Sequence, residues 1–186
     1  MIKPFVSKTL VKLIDEAIFP AILIVAAKVT AVLFLSLIYS DKITIQTGGF
    51  LKIFPAITHS SYQGYYFVNS WSNMVMFSLT VVGTSIILIK AHFFHQSHIK
   101  PSFHAKLARL KLSGLVVSTF TLYHQAAIWL AYLWIIISFL VIEAYFRSSS
   151  MMLAVVALLA GINATWFLIS DVEHELEIWR EHHPNF

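Results

Sequence analysis

Four long apolar stretches, together more than half of the 186 residues, constrain this chain more than any other feature. They cover residues 17–39, 67–89, 112–142 and 151–169. Each is close to or longer than the roughly 20 apolar residues that an α-helix needs to cross the hydrocarbon core of a bilayer. The sequence therefore predicts an all-α integral membrane protein, a four-helix transmembrane bundle forming a single domain over residues 1–186.

The composition agrees with this class. Charged residues make up only 12% of the chain and hydrophobic residues 58%, whereas a soluble domain usually carries about 25% charge. The chain has no cysteine, which excludes disulfides, thiolate metal sites and iron–sulfur clusters. No GxSxG arrangement and no phosphate-binding glycine loop is present, so the sequence favours a non-catalytic protein.

The positive charges indicate how the chain is oriented. Of the 13 Lys and Arg, nine lie before the first stretch, around the connection 90–111 or in the tail, three lie on the opposite side, and one lies inside a stretch. Basic residues accumulate on the cytoplasmic side of membrane proteins. We therefore expect both termini and the 90–111 connection to be cytoplasmic. This topology explains the pI near 9.3 without nucleic acid, and it makes the lipid bilayer the first partner of the chain.

Three segments outside the apolar stretches have patterns of their own. Residues 2–14 and 171–186 carry apolar residues at helical spacing, which predicts short amphipathic cytoplasmic extensions of the first and fourth helices. Residues 41–66 contain two adjacent glycines and a proline. That content predicts an irregular segment on the membrane surface with at most one short helical turn.

Polar residues form a predicted layer inside the membrane. Lys28 lies 11 residues into the first stretch, or about 16 Å at 1.5 Å per residue. His124 lies 12 residues into the third stretch, or about 18 Å by the same rise. Thr80, Gln125 and Asn163 are expected at a similar or slightly shallower depth.

The lysine in this layer has three candidate roles. An intramembrane charge usually faces the bundle interior or a partner, and the depth estimate places every acidic residue elsewhere, with Glu143 at the opposite surface. Lys28 is therefore expected to bond to His124, Thr80 and Asn163 within the bundle, or to meet a carboxylate of another subunit or an anionic cofactor or lipid. The third alternative is a proton or anion pathway.

The fourth stretch carries a ridge of small residues. Ala154, Ala157, Gly161 and Ala164 recur along one helical face, a pattern that lets two membrane helices approach closely. The ridge is expected to pack within the bundle, or alternatively against another subunit.

Seven of the nine histidines fall on the predicted cytoplasmic side. Candidate metal ligands are His92, His95, His98, Asp171 and His174, because His92-x-x-His95 and Asp171-x-x-His174 each place two ligands on one side of a helix end. Imidazole and carboxylate groups suit a divalent metal such as zinc. The alternative is a set of histidines near lipid headgroups.

A haem is a further cofactor to consider. A haem held between helices commonly uses two axial ligands that face each other. His124 is the single histidine inside an apolar stretch, and only a deprotonated Lys28 would oppose it.

Three functions follow in order of preference. The first is a small non-catalytic subunit or an assembly or scaffold factor of a larger membrane complex, with other membrane subunits as partners. The alternative is a membrane redox or metal- or haem-binding protein that uses the cytoplasmic-side histidines. The third is a homo-oligomeric transporter or channel.

Overall fold

Helices dominate the structure, with one short hairpin between the first two. The computed structural model describes residues 4–38, 44–47, 55–58, 61–93, 106, 109–110 and 119–182. The elements in chain order are α1 (Pro4–Ile38), β1 (Thr44–Thr47), β2 (Pro55–Thr58), α2 (Tyr62–Phe93), α3 (Thr119–Tyr145) and α4 (Met151–His182).

Within the described residues, four helical segments are long and apolar enough to cross a membrane. They are Glu16–Ile38, Tyr62–Phe93, Thr121–Tyr145 and Met151–Glu177. The prediction of four long apolar helices is confirmed, and their length and composition suit a multi-pass membrane protein. Residues 112–118 of the predicted third stretch lie outside the described residues.

The first and last helices are longer than a bilayer requires. Helix α1 begins at Pro4 and has 35 residues; proline suits the first turn of a helix, where its missing N–H is not needed. Helix α4 has 32 residues and runs without a break to His182. Residues 4–14 and 171–182 of the two predicted amphipathic segments are therefore helical continuations of α1 and α4, as their spacing predicts.

The segment between α1 and α2 differs from the sequence-based expectation. Strands β1 and β2 pair antiparallel, with Thr44 opposite Thr58 and Ile45 opposite Ile57. The prediction of an irregular segment is wrong for these residues, because Thr and Ile are β-branched and favour extended backbone. Pro55 is the first residue of its strand, a position where a missing N–H is tolerated.

The chain divides into two compact units. The first comprises Met1–Leu79 and Ile135–Ala157, and the second comprises Thr80–Trp134 and Leu158–Phe186. Helices α2, α3 and α4 contribute residues to both units. The single domain over residues 1–186 stays a prediction.

Each unit has an apolar core with polar side chains set into it. In the first unit, the fully buried positions include Val68, Ile137, Leu140, Ser72 and Asn73. In the second unit, they include Leu122, Ala126, Leu133 and Thr80. Buried polar groups have to be hydrogen-bonded to be tolerated, so Ser72, Asn73 and Thr80 require hydrogen-bond partners.

Candidate functional site

The first unit holds a cluster of charged and amide side chains around Lys28, which we call the lysine–glutamate cluster (Lys28, Asn69, Asn73, Glu143). The Lys28 Nζ donates a hydrogen bond of 2.7 Å to the Asn73 Oδ1. It also lies 3.6 Å from the Glu143 Oε1. Asn73 is completely buried, so its side chain is fixed in position between α1 and α3.

The Glu143 carboxylate accepts hydrogen bonds from two asparagines of α2. The Asn69 Nδ2 donates to the Glu143 Oε2 over 2.9 Å, and the Asn73 Nδ2 donates to the same oxygen. The two asparagines are four residues apart, so they lie on the same face of the helix. Asn73 thus accepts from the ammonium group through its oxygen and donates to the carboxylate through its nitrogen. This single amide joins the two charges.

The backbone at the end of α3 holds Glu143 in place. The Ser148 N–H donates to the Glu143 carbonyl oxygen at 2.9 Å, and the Arg147 N–H donates to the Ala144 carbonyl oxygen at 3.0 Å. Together with the left-handed φ of 57° at Arg147, these bonds form the Schellman arrangement that commonly ends helices. The Tyr62 hydroxyl donates to the Arg147 carbonyl oxygen at 2.6 Å. Side chain and main chain of Glu143 are therefore both anchored.

This geometry corrects the expectation that no carboxylate of the chain reaches Lys28. Glu143, which the depth estimate placed at the opposite surface, is the partner of Lys28. The reason is that α3 ends beside Asn69 and Asn73, which lie seven and eleven residues after the start of α2. A carboxylate from another subunit, one of the alternatives for Lys28, is therefore not needed to complete the ion pair, and a partner at this position stays a prediction. The sequence analysis also missed Asn69 and Asn73, although two asparagines four residues apart in an apolar helix indicate a polar face.

The second unit holds a smaller group, the histidine–aspartate cluster (His92, Tyr123, Asp171). The Asp171 Oδ1 lies 2.7 Å from the His92 Nδ1, and its Oδ2 accepts a hydrogen bond of 2.9 Å from the Tyr123 hydroxyl. The Asp171 side chain is only 3% exposed. A buried carboxylate that bonds one imidazole nitrogen fixes the orientation of the ring. Tyr123 was not among the sequence-based candidates.

The predicted metal ligands are only partly brought together. His92, Asp171 and His174 line one hollow of about 240 Å³, beside Phe167 and Ser170. His95 and His98 lie outside the described residues. Across the described ranges, no group of three or more His, Asp or Glu side chains is arranged to hold a metal ion. The pair that the structure does form is the contact between His92 and Asp171.

The other members of the predicted polar layer lie in the second unit. Thr80 is fully buried, and its carbonyl oxygen accepts a hydrogen bond from the Thr84 hydroxyl. His124 and Gln125 are half-buried, and Asn163 is exposed. Lys28 belongs to the first unit, whereas these residues belong to the second. The polar layer that includes Lys28, and the haem held between His124 and Lys28, therefore stay predictions.

The small-residue ridge of α4 is largely covered. Ala154 and Ala157 are buried in the first unit. Gly161 is buried and Ala164 half-buried in the second unit. The side chains of this ridge therefore pack mainly within the chain.

These features describe a helical chain with four segments long and apolar enough to span a membrane, two of which are joined by an ion pair. No family model matches this chain, and neither does any curated protein or any solved structure.

Proposed function

We propose that this protein is a small non-catalytic subunit or assembly factor of a larger membrane complex. The supporting observation is the exposure of the lysine–glutamate cluster: the side chains of Lys28 and Glu143 are 31% and 25% exposed. Both residues belong to segments able to span a membrane. The lysines before the first span and the basic residues around the 90–111 connection support the N-in, C-in orientation.

The physical argument concerns what surrounds these exposed atoms in a bilayer. A charged side chain at mid-membrane costs about 2.5–3.5 kcal/mol on insertion scales. The contact between Lys28 and Glu143 and the hydrogen bonds from the two asparagines offset much of this cost. Hydrocarbon offers neither hydrogen bonds nor opposite charges to the part of each side chain that faces outward. A polar group on another subunit would cover it.

The surface of α1 near Lys28 suits a neighbouring helix. A groove of about 580 Å³ is lined on α1 by small residues, including Ala27, Thr30 and Ala31, and by the larger Leu23, Phe34 and Leu35; its other side is formed by α2, with Trp71 and Val75. Small residues let helix backbones approach closely in a membrane, where packing rather than hydrophobic burial drives association. The partner in this proposal covers the ion pair, and it does not need to supply the carboxylate.

Photo-cross-linking in the native membrane tests this proposal. A photoreactive residue is placed at Val25 or Val29, which are exposed and flank Lys28 on α1; the matched control carries it at Ile169, which is exposed on α4. We expect adducts with a different polypeptide from the α1 positions, with a lower yield when Lys28→Leu is added. Lipid adducts alone from the α1 positions, or an adduct yield that Lys28→Leu leaves unchanged, would contradict the proposal.

A second candidate, a metal-binding or redox role, is favoured by the contact between His92 and Asp171. A carboxylate bonded to one imidazole nitrogen is a common support for a histidine that binds metal through the other nitrogen. His174 lines the same hollow. This candidate predicts a divalent metal in the purified protein that is lost in the His92→Ala and His174→Ala variants but kept in His183→Ala. Metal-free wild-type protein would exclude it.

A further inference from the structure

A hollow in the second unit contains polar groups that belong to neither of the two clusters. It has a volume of about 360 Å³ and lies among residues of α2, α3 and α4. Its lining is apolar except for Thr84, Ser85 and Asn163. Thr84 is buried, and its hydroxyl donates to the Thr80 carbonyl oxygen. Ser85 and Asn163 are exposed.

Of these two exposed side chains, Asn163 has the greater unsatisfied capacity for hydrogen bonds. It lies 12 residues into the 27-residue spanning segment of α4, or about 18 Å at 1.5 Å per residue. Its Nδ2 donates to the Leu159 carbonyl oxygen at 2.7 Å, which uses one of its two amide hydrogens. Its Oδ1 accepts no hydrogen bond from the part of the chain that the structure describes. An amide left in this state in hydrocarbon costs free energy that a hydrogen bond would recover.

Apart from Ser85, the exposed surface around Asn163 is apolar. Ile162 and Trp166 are 56% and 74% exposed on the same helix. A single asparagine in an apolar helix surface is a known determinant of register between two associating helices. The amide is both a donor and an acceptor, so a second asparagine satisfies it completely.

Symmetry selects the occupant. Two copies of a membrane protein inserted in one orientation form a closed dimer only about an axis along the membrane normal, and such a dimer places the same surface of each copy in contact. Any residue then lies at the same depth in both copies. A second copy of this chain therefore presents an amide at the depth of Asn163. A helix of unrelated sequence would do so only by chance.

We infer that this surface of α4 is a homodimer interface in which the Asn163 side chains of two copies form reciprocal hydrogen bonds. The exposed Ile162 and Trp166 flank the contact, and the hollow beside Asn163 receives an apolar side chain of the second copy. This interface is independent of the partner contact proposed at Lys28, since it uses residues of the second unit only.

The first test measures dimerisation of the full chain in liposomes by energy transfer between labelled copies. Asn163→Leu is expected to weaken dimerisation about tenfold, or about 1.4 kcal/mol, as two membrane hydrogen bonds would. Asn163→Gln, which keeps the amide, is expected to restore it substantially. The matched control is Ser78→Leu, an exposed polar position on α2, expected to change dimerisation less than twofold. An Asn163→Leu variant that dimerises as the wild type does, or a control that is equally weakened, would overturn the inference.

A second test keeps Asn163 intact. Because the chain has no cysteine, Trp166→Cys creates a single thiol beside the proposed contact, and Phe139→Cys creates one on the exposed surface of α3. Oxidation in the membrane is expected to yield a disulfide-linked homodimer from Trp166→Cys at several times the yield from Phe139→Cys. Equal yields, or a covalent product containing a different polypeptide instead of a second copy, would refute a homodimer at this surface.

Discussion

Removing both charges of the lysine–glutamate cluster should destabilise the protein by less than the sum of the two single effects. Glu143→Leu leaves the Lys28 ammonium without its carboxylate and deprives the Asn69 and Asn73 side chains of their shared acceptor. Lys28→Leu leaves the carboxylate with two amide donors. The double variant removes both charges at once, so the second substitution should cost less in the presence of the first.

The expected magnitudes follow from the contacts. Two hydrogen bonds to the carboxylate contribute about 0.6 kcal/mol each at the average measured inside membranes. A lone mid-membrane lysine costs about 2.5–3.5 kcal/mol, of which a part stays compensated by the Asn73 carbonyl and by the exposed fraction of the side chain. We expect Glu143→Leu to lower the free energy of unfolding by about 3 kcal/mol and Lys28→Leu by about 2 kcal/mol, with a coupling energy of at least about 1 kcal/mol between them.

The assay is reversible unfolding in mixed micelles with increasing SDS, followed by the fluorescence of the five tryptophans. Glu173→Leu is the matched control, because Glu173 is an exposed carboxylate near the end of α4; its effect should stay within about 0.5 kcal/mol. If the two single effects add to within about 0.5 kcal/mol in the double variant, the two charges do not act as a pair and our account of the cluster is wrong.

Further predictions concern other parts of the molecule. Gly83→Ala should destabilise by about 1–3 kcal/mol, because its Cβ would lie 2.1 Å from the Trp129 Cζ3; thermal unfolding measures this, and an unchanged midpoint would show that Trp129 moves freely. Arg147→Gly should stabilise by about 1 kcal/mol, because a φ of 57° strains any residue with a Cβ; a loss of stability in SDS unfolding would contradict that reasoning. Asp171→Asn should destabilise by about 1–3 kcal/mol, more than Tyr123→Phe, since it weakens two hydrogen bonds; equal effects in the same assay would contradict this. Lys42→Cys should react with an impermeant thiol reagent on intact cells and Lys100→Cys only after permeabilisation; the reverse pattern would invert the proposed topology.

The sequence was sufficient to predict the four spanning helices, because long apolar runs leave little choice of structure inside a bilayer. It also identified Lys28, since a cation inside such a run is conspicuous. It did not identify Glu143 as its partner, because depth was counted along each helix as though all helices ended at the same level. Helix α3 has 27 residues, fewer than α1 with 35, and its end lies beside residues well inside α2.

The polar surface of α2 could have been predicted from spacing alone. Asn69, Ser72, Asn73, Thr80 and Thr84 recur at intervals that place them on one side of a helix, and all except Asn69 are buried. Such a pattern in an apolar helix indicates a surface that faces protein rather than lipid. Which carboxylate and which cation meet this surface depends on how the helices pack, and a single sequence carries no direct record of that packing.

The sequence predicted part of the histidine–aspartate cluster, but it did not predict all of its members. The sequence indicated that both residues lie near helix ends that could be neighbours, and the structure joins them at 2.7 Å. It did not indicate Tyr123, whose hydroxyl satisfies the second carboxylate oxygen. A tyrosine in an apolar helix has too many ordinary packing roles to be recognised as a specific hydrogen-bond donor.

The most direct test of the proposed role is native mass spectrometry of the particle extracted in mild detergent from its own membranes. The account predicts a particle that contains other polypeptides in fixed ratio to this 21.1 kDa chain, and a loss of those polypeptides when Lys28 and Glu143 are both replaced by leucine. A particle composed of this chain alone, as one or more copies, would contradict the proposal that it serves as a subunit or assembly factor.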